Sequence, residues 1–236
     1  MNDVVAVTGA AGALGGEVAK AMSRRGYKVA LLDSERSRSR LEELRDSLKD
    51  SFCATGDLAE ASTWREALAG IERAFGAAPK LAALVAGAWQ GGSPLHAGSR
   101  DGTARAMMRA NFETAYEGLR ALLPAMVASS GGSIVLVGSR AAVQPWSSGG
   151  AAEYAASKAA VLALAQTAAA EVGDRGVRVN TILPSTLDTP ANRAAMPKAD
   201  ATRWVSVASA AEVIAFLLSP EARDVSGAAV PVYGGA

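Results

Sequence analysis

The chain has 236 residues, of which 50% are apolar and 20% charged, a balance far from that of disordered chains. Its 24 Lys and Arg against 23 Asp and Glu leave a formal charge of +1, which gives no electrostatic footing for nucleic acid or a membrane surface. A single cysteine, Cys53, excludes an internal disulfide and a cysteine-based metal cluster, and no apolar run is long enough to span a bilayer.

Val4-Val5-Ala6-Val7 reads as a strand buried on both faces. It runs into Thr8-Gly-Ala-Ala-Gly12-Ala-Leu-Gly15-Gly16, after which a helical pattern continues to about Arg25. A strand, a glycine-rich turn and a helix in that order make a phosphate-binding cradle the expectation, here Gly9, Gly12, Ala13, Leu14 and Gly15. Glycine permits the tight turn and close backbone approach, and the helix N-terminus offers unpaired N–H groups to a pyrophosphate. A second strand, Tyr27 to Leu32, ends in Asp33. An acid about 20 residues past the glycines accepts hydrogen bonds from the ribose 2′-hydroxyl and repels a 2′-phosphate, so NAD(H) is expected over NADP(H). Arg36 and Arg38 follow closely; either reaches a 2′-phosphate, or else lines the solvated face of the helix beginning near Ser37.

Phe52-Cys53-Ala54 suggests a third strand, followed by Asp57-Leu58, where Asp57 also suits a helix cap. Lys80 to Ala86 is a strongly apolar fourth strand running into Gly87. The loop from Ala88 to His96 carries Trp89 and is expected at the carboxyl edge of the sheet, where ligands bind. A long helix is expected from about Asp101 to Val127, with Asn111 inside it although the Asn amide competes for backbone bonds. Ser133 to Ser139 and Val177 to Ile182 are the fifth and sixth strands. Ala210 to Leu218 is a helix, and Val225 to Val232 leads the last strand toward Gly235.

Between the fifth and sixth strands stands Tyr154-Ala-Ala-Ser-Lys158, in a helical run with no Gly or Pro until Gly173. The four-residue spacing puts Tyr154 and Lys158 on one face, one turn apart. A phenol with its ordinary pKa near 10 is a poor base at neutral pH. An adjacent ammonium favours the phenolate, so Lys158 is expected to lower the Tyr154 pKa. Such a spacing is common on ordinary helices. Together with the glycine turn and a strand ending in Ser139, it resembles the short-chain dehydrogenase/reductase family over essentially the whole chain.

That resemblance implies an α/β fold: residues 1–236 as one doubly wound domain of Rossmann type, with a seven-stranded, mostly parallel sheet and helices on both faces. It implies Tyr154 as acid/base, Ser139 as hydrogen-bond partner of the substrate oxygen, Lys158 as holder of the ribose, and Asn111 as support of a water chain from Lys158 to solvent. It implies Asp57 and Leu58 at the adenine, Ala86 and Gly87 against the cofactor, and Pro184, Leu187 and Thr189 at the nicotinamide carboxamide. Trp89 and Trp146 join Ser139 and Tyr154 as expected substrate contacts, with Trp204 as a further wall.

Three features depart from the family pattern: a TGxxGxxG turn, Leu84-Val85 where two asparagines are usual, and an interval from Ser139 to Tyr154 two residues longer than usual. Ala86 to Gly92 and Leu183 to Asp200 are similar to segments of dihydropteridine reductases. The expected function is an NAD(P)-dependent oxidoreductase moving hydride between nicotinamide and a carbonyl or alcohol. The alternatives are an NADH-dependent dihydropteridine reductase and a dinucleotide sensor without turnover. A small-molecule substrate, a homodimer or homotetramer, no metal and a cytoplasmic location complete the expectation.

Overall fold

The computed structural model describes residues 3–98 and 101–235. Its elements follow the chain as β1 Val4–Thr8, α1 Ala13–Arg24, β2 Lys28–Asp33, α2 Arg38–Ser47, β3 Ser51–Thr55, α3 Ala61–Phe75, β4 Leu81–Leu84, α4 Thr103–Met107 and, past a π-helical turn, α5 Thr114–Ala128. The second part comprises β5 Gly132–Val137, α6 Ala152–Val172, β6 Val177–Pro184, β7 Leu187–Asp188, α7 Pro190–Ala195, β8 Val205–Ser206, α8 Val207–Leu218 and β9 Ala229–Val232. Seven strands form one sheet in the order β3-β2-β1-β4-β5-β6-β9, and each pairing in it is parallel.

The strands are continuous apolar runs because both faces of the sheet are covered. Val5 and Val7 of β1 point into a core with α1 and α8, through Val18, Met22, Ile214 and Leu218. Ala6 between them points to the opposite core, with Trp64, Leu119, Leu122 and Val161. The chain leaves β1 toward β2 and β3, then crosses back to β4 on the other side. At that reversal the connections after β1 and β4 part, and a crevice opens at the carboxyl ends of the strands.

Several expected boundaries move. The helix expected from Asp101 to Val127 is divided: Met108–Glu113 winds as a π-helix between α4 and α5. The Asn111 side chain explains the wider turn, because it is drawn out of the helical pattern onto the backbone of Ala88. β5 stops two residues short of Ser139, whereas β6 runs on to Pro184 because it pairs there with Val232 of β9. The parallel pair β7–β8 was not expected; it ties the segment between Leu187 and Ser206 together. Among the described residues no helix is long and apolar enough to cross a membrane, and no group of three or more His, Cys, Asp or Glu is placed to hold a metal.

Candidate active site

A cleft of about 610 Å³ lies at the sheet reversal, with the turn between β1 and α1 on one side and Val85, Ala86 and Gly87 on the other. Gly9 takes φ +63°, and a Cβ on it would come within 3.0 Å of the Ala86 backbone. A Cβ on Gly15 would run into the Gly9 carbonyl oxygen. The TGxxGxxG spacing therefore closes a turn as tight as a dinucleotide needs. Gly12 caps α1 with no side chain, leaving the first N–H groups of the helix to a ligand. Leu14 lines the cleft as expected, while Ala13 does not.

Asp33 ends β2 at the cleft and binds the turn to it: Ala11 N donates to Oδ2 at 2.9 Å and Ser34 N to Oδ1 at 2.7 Å. The expectation for Arg38 needs correction. Its guanidinium donates to both oxygens of Glu35, at 2.6 and 2.8 Å, and to Thr55 Oγ1. Those bonds hold the Glu35 carboxyl down to about 2 and turn Arg38 away from any phosphate. Arg36 and Arg40 line the cleft instead. Arg40 was missed because it lies beyond the expected start of its helix; Ser37 Oγ, 3.1 Å from its Nη2, holds it.

Asp57 and Leu58 line the far end. Asp57 does not cap α3, which starts after Glu60; its Oδ1 accepts from Ala59 N at 3.0 Å, closing the turn before α3, and its Oδ2 pairs with Arg109 at 2.8 Å. The bond from Ala59 N, aided by Arg109, keeps its carboxyl below the ordinary range.

Deeper along the carboxyl edge, two 3-10 turns, Arg140–Ala142 and Pro145–Ser147, take up the long interval and bring Ser139 to Tyr154. Ser139 lies beside the Tyr154 hydroxyl, its Oγ accepting from Ala141 N at 3.2 Å. Burial pushes the Tyr154 phenol up, against the pull of Ser139. The expected lowering by Lys158 is not what this site shows. Lys158 is itself buried, which brings its ammonium down to about 8, and Nζ donates to the Val137 carbonyl at 2.8 Å rather than to the phenol.

Asn111 is buried beside them. Its Nδ2 donates to Ala88 O at 3.0 Å and to Ser157 Oγ at 2.9 Å, and its Oδ1 accepts from Ala88 N at 2.9 Å. It thus clamps the loop after β4 to α6.

The other expected contacts lie apart. Trp89 and Trp146 are 64% and 80% exposed, and neither lines this cleft. Pro184, Leu187 and Thr189 stand outside the walls of the cleft. Thr189 caps α7, its Oγ1 accepting from Asn192 N at 3.1 Å, and Ser185 Oγ donates to the Tyr233 carbonyl at 2.8 Å. His96 lines a second groove with Ala152, Ala155 and Ala159, on a face of α6 turned away from Tyr154.

Geometry of this kind serves hydride transfer to or from a bound nicotinamide dinucleotide. Comparison with known proteins agrees: residues 3–200 match the short chain dehydrogenase family, and the chain belongs to it. It is an NAD(P)-dependent short-chain oxidoreductase. It is 31% identical to the 2,5-dichloro-2,5-cyclohexadiene-1,4-diol dehydrogenase of Sphingobium indicum, across 98% of this chain and 95% of that protein. It is 30% identical to 2-(S)-hydroxypropyl-CoM dehydrogenase 3 of Xanthobacter autotrophicus, across 99% and 96%. The crystal structure of a short chain dehydrogenase/reductase family oxidoreductase from Burkholderia thailandensis superposes with a TM-score of 0.86 at 28% identity, covering 99% of this chain and 92% of the other.

Proposed function

We propose that this oxidoreductase favours NAD(H) over NADP(H) and interconverts a secondary alcohol and its ketone, with Tyr154 moving the proton at the substrate oxygen. The observation that carries the reading is the Tyr154 phenol held against the Ser139 hydroxyl, one helical turn from the buried ammonium of Lys158. The bound dinucleotide supplies or receives the hydride. Ser139 orients the substrate oxygen toward the phenol. In oxidation Tyr154 takes the hydroxyl proton as the carbon–hydrogen bond gives up its electron pair; in reduction it returns the proton.

Lys158, brought to about 8, exchanges its proton near neutral pH, which suits a group that holds the ribose and restores the proton of Tyr154. Asn111 fixes the loop and helix that frame both. The fit to the dinucleotide rests on the glycine turn, closed too tightly for a Cβ at Gly9 or Gly15, with Asp33 at the ribose. Asp57 and Leu58 would hold the adenine, and Pro184, Leu187 and Thr189 the carboxamide. Both relatives carry an alcohol carbon in the substrates their names describe, which supports alcohol chemistry here. We also read residues 1–236 as one domain, working as a homodimer or homotetramer in the cytoplasm; light scattering of the purified protein tests the assembly.

The cofactor preference is tested by titrating the protein with NADH and NADPH while following its tryptophan fluorescence. NADH is expected to bind more tightly, with the margin lost in Asp33→Ala; tighter NADPH would mean that Arg36 or Arg40 reads the phosphate. The chemistry is tested with Tyr154→Phe on a panel of secondary alcohols and ketones. A loss of about 100-fold or more is expected from removing the acid/base group. Undiminished turnover would place the proton transfer elsewhere. The pteridine reading rests on the segments Ala86 to Gly92 and Leu183 to Asp200; turnover of quinonoid dihydropterin with NADH, exceeding that of any alcohol, selects it. A pure sensor predicts NADH binding with no turnover on either panel.

A further inference from the structure

Arg140 follows Ser139 directly, opens the first 3-10 turn beyond β5, and is half-buried. The other cations that are at least partly withdrawn from water all bond through their charged groups. Arg178 donates to the carbonyls of Leu217 and Ser219, Lys28 to that of Phe75 and Lys158 to that of Val137, while Arg45 pairs with Asp46. Among the described residues, Arg140 alone of this group makes neither an ion pair nor a side-chain hydrogen bond. Its guanidinium lies over the ring of Tyr233, 5.8 Å from the centroid. Tyr233 is anchored in turn through its carbonyl to Ser185, just past the end of β6. Stacking fixes the plane of the guanidinium and leaves its N–H donors unspent. A partly desolvated cation with no acceptor is costly, and a ligand anion recovers that cost.

The cofactor pyrophosphate is poorly placed to be that anion. Its cradle follows β1, whereas Arg140 follows β5, and β4 lies between them; the strand spacing puts the two about 10 Å apart across the sheet. The neighbour of Arg140 is Ser139, where the reacting oxygen binds.

We propose that Arg140 reads a carboxylate on the substrate, so that this enzyme acts on a hydroxy acid or keto acid rather than on a neutral alcohol. The proposal rests on the reading of Ser139 and Tyr154 as the reacting centre. The planar fork of Arg140 donates to the two carboxylate oxygens side by side, orienting the carbinol carbon toward Ser139 and Tyr154. Arg140 is then a specificity-determining residue, and its contribution falls on KM.

The experiment compares 3-hydroxycyclohexanecarboxylate with its methyl ester as substrates, for the wild type, Arg140→Met and Arg140→Lys. In parallel, binding of cyclohexanecarboxylate and cyclohexanecarboxamide to the enzyme with NADH is followed by tryptophan fluorescence. The wild type is expected to prefer the acid over the ester by about 10- to 100-fold in kcat/KM, the range of a charge-assisted hydrogen-bonded pair. Arg140→Met should erase that ratio through KM, and Arg140→Lys should restore part of it, since lysine supplies the charge without the fork. Retained NADH binding shows that the variants are folded. Equal use of acid and ester by the wild type, or carboxylate binding unaltered in Arg140→Met, overturns the proposal while leaving the chemistry at Tyr154 standing. Carboxylate binding that depends on Arg140, without turnover of any alcohol or ketone, upholds the anion site and sinks the alcohol–ketone reading of Tyr154 instead.

Discussion

The bare Cα of Gly87 faces the side chain of Asn111 so closely that a Cβ would come within 2.6 Å of its carbonyl oxygen. The same Cβ would lie 3.2 Å from Lys158 Nζ. Neither neighbour has slack, since Asn111 Oδ1 is bound to Ala88 N and Nζ to the Val137 carbonyl. Gly87→Ala is expected to cost about 1–3 kcal/mol of stability as an overpacked site. It should also cost roughly 100-fold in kcat/KM, because a displacement of this size misaligns reacting groups. Thermal melts and steady-state rates check it; a wild-type rate would show that the crowding is absorbed elsewhere.

Lys158 gives a pH dependence whose sign follows from its burial. Its ordinary value is 10.5 and the fold brings it to about 8. Below pH 8 both folded and unfolded chains hold the proton, and the fold bears the whole cost of a buried ammonium. Between pH 8 and 10.5 the unfolded chain binds the proton and the fold does not, so this group makes stability rise with pH across that window. Lys158→Met should therefore stabilise the protein at pH 7, by on the order of 3 kcal/mol before the lost Val137 bond is counted. The gain should shrink as pH approaches 10.5, and activity should be absent throughout. Urea melts of both proteins at several pH values test this; a constant difference across the window refutes the assignment.

Arg38 acts on cofactor choice through Glu35. Arg38→Ala leaves the Glu35 carboxylate, which lines the cleft, with only Thr55 as partner. The uncompensated charge should weaken NADPH binding several-fold more than NADH binding, and the difference should fade at high salt because both groups are exposed. Equal losses for the two cofactors would mean that Glu35 does not face the 2′ position.

Asn111→Ala leaves the Ala88 N–H, the Ala88 carbonyl and the Ser157 hydroxyl each short of a partner. Ser157 is buried whereas Ala88 is open to water, so the expected loss is about 1–3 kcal/mol. Asn111→Asp keeps the acceptor for Ala88 N but turns a carboxylate oxygen on the Ala88 carbonyl, so it should not rescue. Chemical denaturation of the two variants distinguishes this clamp from a role confined to proton relay, in which stability would stay unchanged.

Much of this was legible in the sequence. Val4–Val7 and Ile134–Val137 are apolar without alternation, the mark of a strand covered on both faces, and the parallel sheet follows from such runs separated by helices. Ser139 and Tyr154 stood out in the sequence because one closely follows an apolar strand and the other shares a helical face with Lys158. What escaped depends on contacts between segments. Arg38 and Arg40 are alike in composition, and only the placement of Glu35 and Ser37 decides which one meets the cleft. Trp89 and Trp146 suggested pocket walls by their chemistry, but their positions at the sheet edge left them in solvent. The direction of the Tyr154 shift turned on depth of burial against the aim of the Lys158 ammonium, and neither is encoded in a four-residue spacing.

The π-helical turn from Met108 to Glu113 holds one residue more than a regular helix would place there. Removing Ala110 would let the segment relax into uninterrupted α-helix, and each residue of such a helix advances about 100° around its axis. The shortened chain should fold with a sounder helix, yet its amide would point off Ala88 and Ser157. A deletion that improves a secondary-structure element and silences the enzyme would mark this turn as a retained insertion, kept in the chain for the direction it gives to one side chain.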